Sequence, residues 1–264
     1  MLSVCYKGIA IPIYWKALKN QGNSHTIDRI EILERFLVGF SRSRIISLLA
    51  DREFIGEDWF RYLVMNNIPF DIRLKKNMIS NTLQGKPLDI EALCWHLKRG
   101  EYEVFDTKRN VLGQSLFLSA MKLSNGELLI IASTHKPENA FDRYEHRWEI
   151  ETLFSCLKKR GFNFEETRLL KQERIESMLS ILTIAFAWCH KIGDWKHENE
   201  KPIKRKKHGR LSVSYFRYGL DSITRAILDN QIGKKKYNLV MSKLIRLISQ
   251  FIKGYPNIND VILN

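Results

Sequence analysis

The sequence predicts an α/β protein with a β-rich insertion and a helical C-terminal part. Helix-like and strand-like apolar patterns alternate along the first 79 residues, which is typical of a sheet flanked by helices. Residues 80–135 then carry strand-like runs bounded by glycine and proline, and helical spacing dominates from residue 136 onward. Because 44% of the 264 residues are hydrophobic, the chain can bury a sizeable core.

The N-terminal part, residues 1–79, is predicted to begin the α/β core. Its elements are, in order, a hairpin over 2–16 that turns at Lys7-Gly8, a helix over 26–40, a buried strand over 45–50, a helix over 56–66 and a strand over 69–74. Five apolar side chains share one face of the first helix: Ile27, Ile30, Leu33, Phe36 and Leu37. Asp51 stands directly after the buried strand.

The insertion, residues 80–135, is predicted to contain a hairpin. Its turn is Asn125-Gly126, and a strand-like run lies on each side. Trp95 also belongs to this insertion. We predict a core position for its side chain, although an exposed aromatic there could instead stack on an unpaired base.

The rest of the chain is predicted to be helical. We expect core helices over 136–195 and a basic linker with further helices over 196–264. The helical patterns cover 139–160, 168–190, 211–230 and 236–253. The longest apolar run, Met178 to Cys189, is too short to span a bilayer and predicts a buried helix. Three tryptophans in helical patterns are predicted to lie in the core: Trp59, Trp148 and Trp188.

The charge of the chain indicates a polyanionic partner. The formal net charge is +14 and the pI is near 9.6, so much of the surface must be basic. Nucleic acid is the simplest partner, and no membrane partner is expected. The basic run Lys201–Arg210 could contact a DNA backbone or could be a solvated linker.

Other common kinds of site have little support. The cysteines at 5, 94, 156 and 189 form no Cys-x-x-Cys pair, and the histidines show no ligand spacing, so structural zinc is not expected. Reduced thiols in a cytoplasm are the default for such a chain. No serine or cysteine has an evident base partner, which leaves covalent nucleophilic catalysis without support.

One segment combines an apolar face with a polar stripe. At 100° per residue, a helix over 139–160 places Tyr144, Arg147, Glu151 and Lys158 on a narrow stripe. Ile150, Leu153, Phe154 and Leu157 fall on the apolar side. On geometry alone, ordinary surface ion pairs remain an alternative to a functional site.

The identity and spacing of these polar residues resemble the insertion-sequence-four family of DDE transposases. Its signature is Tyr, two residues, Arg, three residues, Glu, six residues and Lys, which Tyr144, Arg147, Glu151 and Lys158 match. The stretches RWEIETLFSCLKKRGFNFEETRL and SVSYFRYGLDSITRAI are also similar to that family. LLADREFIG resembles the end of the strand that carries its second aspartate, which points to Asp51. The resemblance covers at least residues 2–168.

The resemblance implies a fold and a chemistry. The fold would be RNase H-like, with a β-rich insertion before the glutamate helix. The activity would be Mg²⁺- or Mn²⁺-dependent cleavage and strand transfer at the ends of an insertion sequence, with Asp51 and Glu151 as catalytic metal ligands. Tyr144, Arg147 and Lys158 would contact DNA near the cleaved phosphate. The implied partners are double-stranded transposon ends and target DNA, with a homo-oligomer on DNA in a bacterial cytoplasm, associated with the nucleoid.

The sequence departs from that family in one respect. The family has three catalytic carboxylates, and the first lies on a strand before the hairpin that matches residues 2–16. The first aspartate here, Asp28, lies in a helical pattern and is a poor substitute. We therefore expect the first strand and its aspartate to be missing, the two-metal site to be incomplete, and the strand over 45–50 to have an open edge.

That departure leaves several interpretations open. The chain could be a fragment of an interrupted element, or its start codon could be assigned too late. It could be an active transposase, or a truncated and inactive relative that binds only DNA or a full-length partner. A basic α/β nuclease with coincidental Tyr-Arg-Glu-Lys spacing is a third interpretation.

Overall fold

A computed structural model of the chain describes residues 1–18, 22, 24–207, 209–228 and 261–264. These residues fall into two compact units. Unit 1 is Met1–Leu153 together with Asn259–Asn264, and unit 2 is Phe154–Ile258. The helix predicted over 236–253 and the end of the helix predicted over 211–230 lie outside the described residues.

Unit 1 is built on a large mixed sheet, as the α/β prediction requires. The described strands are β1 (Leu2–Tyr6), β2 (Ile9–Tyr14), β3 (Ile45–Ala50), β4 (Phe70–Arg73), β5 (Ile79–Asn81), β6 (Pro87–Asp89), β7 (Tyr102–Val111), β8 (Gln114–Lys122), β9 (Leu128–Ser133) and β10 (Val261–Leu263). Eight of them form one sheet in the order β2-β1-β10-β3-β4-β9-β8-β7, and β5 pairs with β6 separately.

The described part of the chain contains seven α-helices. They are α1 (Thr26–Gly39), α2 (Glu57–Met65), α3 (Ile90–Leu93), α4 (Ala140–Glu145), α5 (Trp148–Ser155), α6 (Gln172–Asn199) and α7 (Tyr215–Leu228). The first four lie in unit 1, α6 and the described α7 lie in unit 2, and α5 crosses the division between the units.

The predicted N-terminal elements are confirmed with small changes at their ends. The hairpin β1–β2 turns at Lys7 and Gly8, which have φ angles of 47° and 82°. Such positive φ angles cost least at glycine, which explains the Lys-Gly turn. In α1, Leu33 and Phe36 are buried, but Ile27 is 78% exposed. The prediction was wrong for Ile27 because it lies in the first turn, beyond the packed part of the helix.

Strands from the predicted insertion continue the main sheet. β9 pairs antiparallel with β4, and β8 and β7 follow outward. The hairpin at Asn125-Gly126 is confirmed, with Gly126 at a φ of 88°. The predicted core position of Trp95 was wrong, since its side chain is 83% exposed. It lies in the turn after α3, where Cys94 and Leu97 are buried instead.

The predicted open edge of the strand over 45–50 is not observed. β10 lies between β1 and β3, antiparallel to β1 and parallel to β3. Leu263 pairs with Val4 on one side and with Leu48 on the other, and its side chain is fully buried. The expectation was wrong because the partner comes from a distant part of the sequence, which local patterns do not reveal.

Unit 2 is centred on two closely packed helices, α6 and α7. A Cβ atom on Gly193 would lie 1.8 Å from the Tyr215 carbonyl oxygen, and one on Gly219 would lie 1.7 Å from that of Cys189. The two glycines therefore let the helix backbones touch. Phe216 completes the contact by packing against Phe186, with 5.0 Å between ring centroids.

The apolar run in α6 is less buried than predicted. Ile181 and Ile184 are 62% and 63% exposed, while Phe186 is fully buried. Among the helices that the structure describes, α6 is the one whose length and composition would allow it to cross a membrane, a property that core helices of soluble proteins share.

Candidate active site

The predicted continuous helix over 139–160 is divided into three pieces. α4 ends at Glu145, α5 begins at Trp148, and a π-helical turn follows over Cys156–Arg160. At the break, the main-chain N–H groups of His146 and Arg147 donate to the carbonyl oxygens three residues earlier, at 3.2 and 3.0 Å. This tighter turn interrupts the α-helical geometry from which the polar stripe was predicted.

Asp51 is positioned by the end of β3. It directly follows Ala50 and accepts a hydrogen bond from the main-chain N–H of Arg52 at 2.7 Å, which begins a short 3-10 turn. Its side chain is 36% exposed. β3 itself is buried at Leu48 and Leu49. The apolar strand thus fixes the backbone while it leaves the carboxylate at the surface.

Arg147 brings Asp51 and Glu151 together. Its Nη1 atom donates to Glu151 Oε1 at 2.7 Å and lies 3.9 Å from Asp51 Oδ2. The two carboxylates are distant in the sequence, but these oxygens cannot be farther apart in space than the two distances together. The guanidinium is almost buried, whereas Glu151 is 45% exposed. One cation therefore lies between the two predicted catalytic carboxylates.

Tyr144 lies beneath this group. Its side chain is 5% exposed and packs with Ile131 and Ala140 in the core of unit 1. Burial raises the pKa of its hydroxyl well above the usual range, and the charges of Arg147 and Asp51 modify that shift in opposite directions. The prediction placed Tyr144 on a polar stripe, but its ring is buried because α4 packs this face against the sheet at Ile131.

Two polar groups at this point are buried without a partner. Neither the Tyr144 hydroxyl nor Arg147 Nε has a hydrogen-bond partner among the described residues. Buried donors usually find an acceptor, and an unpaired one costs about 1–3 kcal/mol. Each group could donate to an acceptor such as a phosphate oxygen if a ligand reached it.

Two other predicted positions lie differently from the expectation. Lys158 belongs to unit 2, where it forms an exposed ion pair with Glu165 at 3.3 Å. Trp148 was predicted to be a core residue, but its side chain is 60% exposed. Arg147 stacks over the Trp148 ring, with 4.6 Å from its guanidinium carbon to the ring centroid. That stack covers one face of the guanidinium with an aromatic surface.

Asp71 is a buried carboxylate that sequence reasoning missed. It lies in the middle of β4 and is fully buried. Arg143 on α4 binds it through two nitrogens, at 2.7 and 3.1 Å, and Ser47 donates to it at 2.7 Å. Ser133 donates to its other oxygen at 2.5 Å. This network ties α4, and hence the adjacent Tyr144, to the sheet.

The ionisation of Asp71 follows from these contacts. Burial by itself would raise its pKa, but His135 and Arg143 outweigh it and lower the pKa to about 2. His135 Nε2 lies 3.4 Å from Asp71, at an ion-pair distance without hydrogen-bond geometry. The one sequence signal was an aspartate between the apolar residues Phe70 and Ile72 of a strand, because a buried carboxylate needs a cation beside it.

A basic cleft adjoins the end of β3. It has a volume of about 520 Å³, and its wall includes Arg52, the residue after Asp51. Four more cations line it: Arg73, Lys75, Lys76 and Lys122. Glu127 pairs with Arg52 and Arg73, and Glu91 pairs with Lys76, so the cleft keeps an excess of positive charge. The surroundings of Asp51 therefore attract anions.

A mixed sheet that presents an aspartate at a strand end beside a helix-borne glutamate defines a candidate carboxylate enzyme centre. A model of the transposase DDE domain family matches residues 11–188, a range that contains all five predicted site residues. Since this match spans more than half of the chain, the protein belongs to the transposase DDE domain family. No curated protein sequence matches the chain significantly.

Domains of this family generally use divalent metal ions. Carboxylate oxygens are the ligands that Mg²⁺ and Mn²⁺ prefer, so Asp51 and Glu151 fit such an ion by donor type. The Arg147 cation at the same point indicates that the arrangement favours positive charge. In the part of the chain that the structure describes, no three His, Cys, Asp or Glu side chains converge. These residues therefore offer a metal ion two protein ligands, Asp51 and Glu151.

Proposed function

We propose that this chain is the catalytic domain of an insertion-sequence transposase that cleaves DNA at the ends of its element and joins them to a target. Membership of the transposase DDE domain family indicates a role in transposition. The observation that carries the finer proposal is the convergence of Asp51 and Glu151 on Arg147, at 3.9 and 2.7 Å. Both carboxylates remain partly exposed at this point, so a metal ion could reach them from solvent.

The proposal includes a subfamily and a fold type. The Tyr144, Arg147, Glu151 and Lys158 spacing supports the insertion-sequence-four group, with its Tyr-Arg-Glu-Lys signature. The antiparallel pair β1–β2 and the parallel strands β3 and β4 support an RNase H-like arrangement of unit 1. Asp51 ends one of these parallel strands, a usual place for functional residues in α/β sheets.

Asp51 and Glu151 would hold the metal ion. When bound, such an ion activates an attacking oxygen and stabilises the leaving oxygen of a phosphodiester. The chain's own contribution is to keep two carboxylates half exposed beside a basic cleft that attracts the DNA backbone. Metal and DNA can then approach the same point from solvent.

Arg147 and Tyr144 would bind a phosphate of the DNA. The Tyr144 hydroxyl and Arg147 Nε are buried donors without partners among the described residues, and phosphate oxygens would satisfy both. With Glu151 holding a metal ion, Arg147 would contact the phosphate in place of Glu151. Lys158, whose side chain is about half exposed, would add a further cation on the DNA.

The test is nicking of a supercoiled plasmid that carries the ends of the element, with Mg²⁺ or Mn²⁺. We expect nicking by the wild-type chain and a loss of about a hundredfold or more in Asp51→Asn and Glu151→Gln, since a bound metal contributes several kcal/mol to the transition state. Asp58→Asn and Glu145→Gln change exposed carboxylates nearby and should retain the wild-type rate. Equal rates in Glu151→Gln and the wild type would remove Glu151 from the site.

A second candidate function is DNA binding without cleavage. It is favoured by the buried Arg147 guanidinium, whose single positive charge already pairs with Glu151 and lies near Asp51, where a metal would bind. A chain of this kind would shift end-bearing DNA in a gel but would nick it with neither metal. Nicking that depends on Glu151 would exclude this second function.

A further inference from the structure

The last described strand, β10, completes the sheet of unit 1. Ser3 and Asn264 exchange two main-chain hydrogen bonds at 2.8 and 2.9 Å, and Ser3 Oγ donates to the Asn264 carbonyl oxygen at 3.2 Å. On its other side β10 runs parallel to β3, with Leu263 beside Leu48. Asn264 thus stands at the end of a strand adjacent to the one that delivers Asp51.

The side chain of Asn264 reaches the break between α4 and α5. Its Nδ2 atom donates to the carbonyl oxygens of His146 and Arg147, both at 3.1 Å. A side-chain amide has two N–H donors, so one group can serve both carbonyls. Asn264 is 8% exposed, and hydrogen bonds shielded from water are stronger than those at the surface.

The break needs such a contact. The turn at residues 146–147 is held along the chain by bonds of the three-residue type, which have poorer geometry than those of an α-helix. This turn sets the direction of the Arg147 side chain and the start of the helix that carries Glu151. A tether from the sheet therefore fixes both residues relative to Asp51, which lies on the neighbouring strand.

We propose that Asn264 is a positioning residue for the candidate site: its amide, delivered by β10, clamps the turn that orients Arg147 and Glu151. This rests on the proposed function for its catalytic consequence, but the clamp itself is a property of the folded chain. An aspartate of the same shape cannot replace it, because a carboxylate has no donors and would face two carbonyl oxygens.

The test compares Asn264→Asp with Asn264→Gln, which keeps both donors on a side chain one methylene longer. Asn66→Asp is the matched control, since Asn66 Nδ2 donates to the Tyr62 carbonyl oxygen at 2.9 Å at the end of α2. Each protein carries 5-fluorotryptophan, and its fluorine NMR signal from Trp148, assigned with Trp148→Phe, reports the turn without DNA or metal. The decrease of the free Mn²⁺ signal in electron paramagnetic resonance reports metal affinity.

We expect Asn264→Asp to shift or broaden the Trp148 signal, to weaken Mn²⁺ binding and to lower plasmid nicking about a hundredfold, as a small misplacement of reacting groups does. The KM for plasmid should stay within about twofold, since the basic cleft is unchanged. Asn264→Gln should recover part of each effect, and Asn66→Asp should show none. If Asn264→Asp melts below the assay temperature, Asn264→Ser replaces it, because a hydroxyl has one donor where the clamp needs two.

Failure of the clamp and failure of the proposed function would give different results. An unmoved Trp148 signal with wild-type Mn²⁺ affinity in a folded Asn264→Asp variant would overturn the clamp. A wild-type chain that nicks nothing, while Asn264→Asp still moves the Trp148 signal, would overturn the proposed function and leave the clamp standing.

Discussion

Arg147 donates from Nη1 to Glu151 Oε1 at 2.7 Å, across one turn at the start of α5. The donor is almost buried and the acceptor is half exposed, so the contact joins the interior to the solvent-facing part of the site. Breaking a buried charge pair leaves an uncompensated charge, and Arg147 has Asp51 as its other carboxylate. A change in the position or charge of the Arg147 guanidinium therefore affects the contacts of both Asp51 and Glu151.

Arg147→Gln should bind Mn²⁺ more tightly than the wild type in the absence of DNA. Removal of the cation between Asp51 and Glu151 ends its Coulombic competition with the metal, and we expect the Kd to fall about tenfold. Isothermal titration calorimetry measures this change. Arg147→Lys keeps the charge and should keep the wild-type Kd. Weaker Mn²⁺ binding by Arg147→Gln would mean that Arg147 supports the metal site instead of competing with it.

Tyr144→Phe should make the protein more stable but less active in DNA nicking. The buried hydroxyl of Tyr144 has no hydrogen-bond partner among the described residues, so its removal should raise the free energy of unfolding by about 1 kcal/mol. DNA nicking should fall, because the hydroxyl would serve a phosphate. Urea titration and the plasmid assay give the two values. A variant that loses stability would indicate that the hydroxyl already has a partner in solution.

Asp71→Asn should destabilise the protein and flatten its dependence on pH. The folded pKa of Asp71 is about 2, below the ordinary 3.8, so its carboxylate contributes roughly 2 kcal/mol above about pH 4. That contribution decreases as the pH falls from the unfolded pKa through the folded one. Removing the charge also leaves Arg143 unpaired, at a cost of about 3–5 kcal/mol.

The measurement for Asp71→Asn is the urea midpoint from pH 7 down to about pH 3, within the range where the wild type is folded. The wild type should lose stability more steeply than the variant as the pH approaches the lower end. Asp58→Asn, whose side chain is 76% exposed, is the control and should match the wild type throughout. Parallel curves for Asp71→Asn and the wild type would contradict the low pKa.

Gly219→Ala should destabilise unit 2. The new Cβ atom would lie 1.7 Å from the Cys189 carbonyl oxygen, so α6 and α7 must separate. Overpacking of this kind typically costs about 1–3 kcal/mol, and contact with backbone puts this position at or above the upper end. Differential scanning calorimetry should give a lower Tm. Gly39→Ala, with its nearest atom at 3.6 Å and a helical position in α1, should leave the Tm unchanged or raise it slightly.

Neutralising the basic run should reveal whether it binds DNA. Lys204, Arg205, Lys206 and Lys207 are all exposed, so their replacement by glutamine should not disturb a core. If these side chains bind phosphates, the log–log slope of DNA affinity against salt should flatten by about 0.9 for each phosphate that the variant no longer binds. Fluorescence anisotropy at several salt concentrations measures the slope. An unchanged slope would assign the run to a solvated linker.

The sequence predicted correctly those elements that depend on a few neighbouring residues. The Lys7-Gly8 turn, the buried strand ending at Ala50 and the Asn125-Gly126 hairpin each follow from a few neighbouring residues. The break at residues 146–147 could not be predicted in this way, because no proline or glycine marks it and helical periodicity averages over several turns. A contact from Asn264 contributes to that break, and no local pattern contains it.

The sequence likewise predicted some residues of the candidate site and missed others. Asp51 and Glu151 were predicted as metal ligands from the resemblance of their surroundings to a known family, and both lie within 3.9 Å of Arg147 Nη1. The burial of Tyr144 and the network of Asp71 were missed, since both depend on which distant side chains meet in the folded unit. Trp95 and Trp148 were assigned to the core because aromatic residues usually are, but each lies where the backbone turns at the surface.

The pairing of Ser3 with Asn264 has a consequence for biosynthesis. The two residues are 261 positions apart, so these hydrogen bonds of the sheet join segments that leave the ribosome at widely separated times. Until Val261–Leu263 emerge, β1 and β3 each lack a neighbour in the sheet, and unpaired strand edges promote aggregation. Contacts of such long range also slow folding. The facing edges of β1 and β3 therefore stay unpaired in a nascent chain until these three residues have left the ribosome.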